Sequence, residues 1–239
     1  MSSVWAIAKR ELYAYFGSPI AYVVAAAFTF LCGLLFVGGV ARMQDATLQS
    51  VFGSLSIVLI FIAPVLTMRL LSREQDQGTI ELLLTAPVRD WEVVVGKFLA
   101  SFLYYLGMIA VTGLYVVVLV AFGNPDLGTI GASYLGLALL GAGLLALGTF
   151  ASSLTGNQVV AAVVGVVGSV SLWLLDIVSG LGIFGQTGGE VISFLTPSGH
   201  YYTFLDGVID TRDLVYYFSF AFVFLFLAGR VLESRRWRG

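Results

Sequence analysis

Residues 126–176 read DLGTIGASYLGLALLGAGLLALGTFASSLTGNQVVAAVVGVVGSVSLWLLD, with 49 uncharged residues between the two aspartates. A helix needs about 20 mostly apolar residues to cross a bilayer, so this run is too long for one span and long enough for two. The break falls best at Ser152-Ser153-Leu154-Thr155-Gly156-Asn157, a cluster of turn-forming polar residues. Spans at 130–152 and 158–179 follow. Working outward, similar apolar runs occupy 20–40, 52–71 and 98–122 on one side, the last ending before Asn124-Pro125, and 214–232 on the other. Arg230 sits where its long side chain can snorkel out of the final run. The sequence therefore predicts an all-α polytopic membrane protein with six transmembrane helices.

Composition points the same way. Of 239 residues, 59% are hydrophobic and 11% charged, and the mean hydropathy is +0.96. Soluble domains carry about 25% charged residues, and a chain this short has too much surface to hide so much apolar area from water. A soluble enzyme is excluded, and a net charge of −2 leaves no basic footprint for nucleic acid. One cysteine, Cys32, and one histidine, His200, provide neither a disulfide framework nor a metal cluster. Gly96-Lys97 lacks the preceding glycine and following Ser/Thr of a phosphate-binding loop. No acidic or basic residue falls near the centre of a span, which argues against an ion-coupled pathway at mid-depth. Ser152 or Ser153 would lie on the membrane face opposite His200, so no nucleophile–base pair forms, and the chain has no catalytic engine of its own.

Charge placement orients the spans. With six crossings both termini share a side with residues 72–97 and 153–157, and that side holds ten of the twelve basic residues, leaving Arg42 and Arg212 opposite. The positive-inside rule then puts both termini in the cytoplasm. A cleaved signal peptide fits less well, because the first apolar stretch continues past Ala25-Ala26-Ala27 for a full membrane width.

Residues 3–17 predict an amphipathic helix lying along the cytoplasmic leaflet. Val4, Trp5, Ala8, Leu12, Tyr15 and Phe16 form an apolar stripe, with Lys9, Arg10 and Glu11 off it. A bare stop of positive charge is the alternative. On the outer side, the loop 180–213 opens with glycine-rich turns, and Val191 to Leu195 is apolar but too short to cross. It suggests a short helix or a re-entrant hairpin shielded by protein. Tyr201 and Tyr202 fit an interfacial aromatic belt, His200 reads as a solvated residue, and Asp176, Asp206 and Asp210 read as helix-end or turn positions. Small residues recur every fourth position at Ala138, Ala142 and Ala146, and again at Ala161, Gly165 and Ser169. Such stripes let helices approach closely, either inside one chain or at a dimer seam.

The loop 72–97, SREQDQGTIELLLTAPVRDWEVVVGK, carries five acids and three bases. Gly78-Thr79 can end one helix and cap the next, which puts Glu81 in a first turn where the helix dipole favours an anion. Ile80, Leu82, Leu83 and Leu84 then make a short apolar helix stopped at Ala86-Pro87, and Asp90 can cap the third span. So apolar a helix among charges needs a cover, either a partner protein or the chain's own membrane surface.

The stretch RLLSREQDQGTIELLLTAPVRDWEVVVGKFLA, residues 69–100, resembles the cytoplasmic-loop signature of ABC-2 type transporter permeases. The tail from Thr196 is similar to the end of the same family, nearest to its gliding-motility-associated and copper-enzyme-maturation branches, with Pro197-Ser198-Gly199-His200 in place of a Pro-Leu-Ser-His-like run. The resemblance covers essentially the whole chain. It implies an export permease of a bacterial cytoplasmic membrane, pairing with a second copy or a homologous permease on two cytoplasmic ATP-binding subunits, with room for an accessory extracytoplasmic or membrane protein. ATP and Mg would belong to those partner subunits, and this chain would bind no cofactor. The resemblance maps a coupling helix between spans two and three onto residues 79–86, with Gly78 and Thr79 opening it and Pro87 beyond it. Leu82, Leu83 and Leu84 would fill a groove of the ATPase, with Glu74 and Glu81 as charged contacts. A self-contained secondary transporter and a membrane scaffold or assembly factor are the alternatives.

Overall fold

The computed structural model describes residues 3–43, 49–78, 89–123, 125–181 and 185–236, and no strand occurs among them. The helices are α1 (Ser3–Phe16), α2 (Pro19–Met43), α3 (Gln49–Thr67), α4 (Ser72–Asp76), α5 (Asp90–Phe122), α6 (Leu127–Leu154), α7 (Gln158–Gly180), α8 (Gly185–Leu195), α9 (Pro197–Leu205) and α10 (Thr211–Arg236). Among the described residues, six segments are long and apolar enough to cross a membrane: α2, α3 continuing through α4, α5, α6, α7 and α10. Their apolar side chains point outward as well as inward, as in Val163 and Val167 of α7 or Phe218 and Phe222 of α10. Helices apolar all round belong in lipid, and the chain is a multi-pass membrane protein.

α6 is the centre of the bundle, with 67% of its most apolar window buried against 17% for α2 and α7 and 11% for α10. It packs against α3, α5, α7, α9 and α10. Its glycines make this possible. A Cβ on Gly141 would lie 2.1 Å from the Tyr105 ring, so the α5 aromatic occupies the space a side chain would need. On α7, Ala161, Gly165 and Ser169 are buried, and a Cβ on Gly165 would lie 2.9 Å from Pro64 of α3. On α6, Ala146 is buried and Ala138 packs on the main core, while Ala142 is partly buried. Ala146, Ala161, Gly165 and Ser169 are thus all buried within the bundle.

Several boundaries differ from those the sequence suggests. α5 starts at Asp90 rather than Phe98. At about 1.5 Å per residue its 33 residues run to about 50 Å, longer than a hydrocarbon core of about 30 Å, so the helix projects beyond the bilayer and takes up the end of the charged loop. Its N-cap is Arg89, not Asp90; the Glu92 carboxylate accepts from the Arg89 backbone N–H at 3.0 Å. Ser152 and Ser153 lie inside α6, fully buried, and the turn is Thr155–Asn157, with Asn157 capping α7. Of the residues expected to form a coupling helix, Thr79, Glu81, Leu82, Leu83, Leu84 and Pro87 lie outside the described residues.

Candidate functional site

At the end of the bundle that carries α1 and the last turns of α10, four elements converge on α4. The α3 helix contains Pro64 and stops at Thr67. The chain then turns into α4, whose exposed backbone donors need partners. The hydroxyl of Ser152, from α6, accepts from the N–H groups of Leu71 and Ser72, both at 3.1 Å, and donates to the Met68 carbonyl at 3.0 Å. One donor and two acceptors exhaust what a hydroxyl can do. Beside it, Gln75 donates to the Ser153 carbonyl at 2.9 Å. α4 is thus pinned to the end of α6. Gly78, at φ 66°, ends it with nothing near its missing Cβ.

A charge cluster ties the same short helix to α5 and α1. The Lys97 side chain, 2% exposed, places its ammonium 2.8 Å from Glu74 of α4 and 3.1 Å from Glu11 of α1. Arg10 meets Glu11 at 3.0 Å and Glu74 at 3.6 Å from the solvent side. Two cations and two carboxylates balance, which is what allows a lysine this deep. Burial pushes the Glu11 carboxyl up, but Lys97 and Arg10 outweigh it and hold the group below its ordinary value. One residue earlier, a Cβ on Gly96 would lie 2.9 Å from Ile7 and 3.0 Å from the Val4 carbonyl. Gly96-Lys97 therefore works as a pair: the glycine admits α1 and the lysine clamps it. Tyr15 completes the attachment, donating to the Leu66 carbonyl at 2.7 Å.

One residue of α1 stands differently from the expectation. Ala8 is buried and Leu12 packs on the core, and Trp5 and Phe16 are about half exposed. Glu11 turns inward to Lys97 rather than standing out with Lys9 and Arg10, which remain exposed. The i, i+3 and i, i+4 spacing of the stripe was visible in the sequence, but a buried lysine across the chain, which inverts the role of Glu11, was not.

The opposite end is also organised. His200 is 7% exposed and not solvated; its Nδ1 lies 2.6 Å from Asp213 of α10 and its Nε2 2.9 Å from the Phe194 carbonyl. Its ring stacks on Tyr216 at 3.9 Å, and Thr203 also donates to Asp213. Tyr201 is buried and donates to the Phe52 carbonyl at 3.0 Å, so only Tyr202 keeps the exposure expected of a belt residue. Asp210 accepts from the Arg212 N–H as a helix cap does, whereas Asp176 accepts from Thr196 and Asp206 from Gln49, contacts that tie separate elements together. Asp213→Asn removes the charge facing His200 and is expected to lower stability by about 2 kcal/mol; thermal unfolding within error of the wild type would refute that.

The chain is a six-span membrane bundle with a charge-clamped short helix at one end. The family model described as ABC-2 family transporter protein matches residues 5–232, and the chain belongs to that family, one of membrane subunits rather than catalytic ones. The match is to the family as a whole and does not single out the gliding-motility or copper-enzyme-maturation branches. No match was found among curated proteins.

Proposed function

We propose that the chain is the permease subunit of an ABC-2 exporter, paired with a second permease and driven by two ATP-binding subunits that dock on its cytoplasmic end. The observation that carries this reading is the convergence on α4. The helix immediately before residues 79–88 is held by α6 through Ser152, by α5 through Lys97 and by α1 through Glu11 and Arg10. A push delivered to those residues reaches three elements at once. ATP and Mg reside in the partner subunits, and Leu82, Leu83 and Leu84 supply the apolar contact while Glu81 supplies charge; Glu74 is turned inward to Lys97 and Arg10 and holds α4 instead.

The test is reconstitution with the natural ATPase in nanodiscs, with native mass to count subunits. Two copies of each are expected. Leu83→Asp places a charge in an apolar contact, a penalty of about 2 kcal/mol or more, and should cut transport-coupled ATP hydrolysis at least about tenfold with insertion intact; Glu81→Ala should act in the same direction and more weakly. Wild-type coupling in both variants would overturn the docking assignment. A stable particle lacking an ATPase, from cells that contain the natural partners, would overturn the exporter reading itself.

A further inference from the structure

The end of the bundle opposite α4 contains two adjoining depressions. One is a cleft of about 920 Å³, whose polar lining residues are Ser179, Glu190, Ser193, His200, Thr203 and Asp213. The other is a groove of about 630 Å³ along the start of α10, lined by Thr211, Arg212, Val215, Tyr216 and Ser219. Phe194 lines both and is the wall between them. Both volumes fall in the range of small-molecule sites, about 300–1,000 Å³.

The cleft holds two acidic side chains, Glu190 and Asp213, beside one histidine. Asp213 faces His200 at 2.6 Å, and Glu190 makes no ion pair among the described residues. Glu190 and Phe194 stand four residues apart on α8, so they share a face of the helix, and both line the cleft. Glu190 is exposed and Phe194 is 60% exposed, which leaves carboxylate and ring open to a ligand. A carboxylate beside an aromatic face is the pairing that holds ammonium groups, by charge and by the ring quadrupole together. Across Phe194 the groove offers Val215 and Tyr216 for hydrocarbon, and Arg212 there repels a cationic head.

We propose that this double depression binds an organic cation with an apolar tail, its ammonium in the cleft against Glu190 and Phe194 and its hydrocarbon in the groove of α10. The site does not depend on the ATPase reading: it is built within one chain and needs no nucleotide.

The experiment uses the full chain in nanodiscs of zwitterionic lipid, titrated with octyltrimethylammonium, octyl sulfate and octanol, with bound copies counted by native mass. One saturable octyltrimethylammonium per chain is expected, with octanol weaker and octyl sulfate showing no saturable binding. Glu190→Gln should weaken the cation about fivefold, the size of a solvent-exposed ion pair, and Phe194→Leu by a comparable factor. Arg212→Gln should leave it unchanged or tighter. Both weakening substitutions are at exposed positions, and an unchanged unfolding midpoint in each confirms that the fold is intact. Equal binding of the cation by Glu190→Gln and the wild type would overturn the proposal. So would tighter, Arg212-dependent binding of octyl sulfate, which would assign the groove to an anion.

Discussion

Lys97→Met is expected to lower stability by about 3 kcal/mol and to uncouple α1 from α4 while all six spans still insert. The ammonium lies within 3.1 Å of both Glu11 and Glu74, whose side chains are 18% and 17% exposed. Removing it leaves two carboxylates facing each other in a poorly hydrated place with only Arg10 to compensate, and breaking a buried pair at one partner costs about 3–5 kcal/mol. The penalty belongs to the orphaned carboxylates, which makes the claim separable from lost packing. In Lys97→Met/Glu11→Gln one of those charges is gone, so the double variant should be more stable than the sum of the two singles predicts, by about 1 kcal/mol or more. Strict additivity in a double-mutant cycle would mean that the cluster is not a coupled unit. Acid should act on the same contact. A carboxyl whose pKa is depressed on folding contributes stability that is present above its ordinary value, 4.5 for Glu11, and is lost as pH falls from there through the depressed value. Docking of α1 should weaken below about pH 4.5 in the wild type and lose that pH dependence in Glu11→Gln, as read by hydrogen exchange over residues 3–16.

The six spans were legible because lipid imposes a simple rule: a run of apolar residues long enough to cross will be helix, whatever its neighbours. Helix ends were less legible. Charges at Arg89, Asp90 and Glu92 make the start of α5 look like loop, yet acids there favour a helix N-terminus, and Val93-Val94-Val95 in hindsight gives the continuation away. The clamp on α4 could not be read at all. Lys97 and Glu11 are 86 positions apart and Leu71 and Ser152 are 81 apart, and no local pattern announces either pairing. Gly96-Lys97 has meaning there only because α1 lies across that glycine. The same holds for His200, whose burial follows from the fold of α8 and α9 onto α10 rather than from its neighbours in sequence.

Gly141→Ala tests whether the centre of the bundle is as tight as the hub at its end requires. The added Cβ would lie 2.1, 2.3 and 2.5 Å from Cε1, Cζ and Oη of Tyr105, so the whole ring must move, not a flexible tip. That ring is 1% exposed and its hydroxyl donates to the Leu137 carbonyl at 2.8 Å, one turn along the same α6. Displacing it strains the core and strips a buried hydroxyl of its partner, together about 3 kcal/mol or more. Tyr105→Phe/Gly141→Ala removes the hydroxyl but keeps most of the ring, so it should recover little; Tyr105→Ala/Gly141→Ala removes the obstacle and should be less damaging than the two single losses added together. If Gly141→Ala unfolds with the wild-type midpoint, α5 and α6 can slide apart at no cost. A movement imposed at α4 would then be absorbed inside the bundle instead of carried along it, and the transmission through Lys97 and Ser152 would have no rigid body to act on.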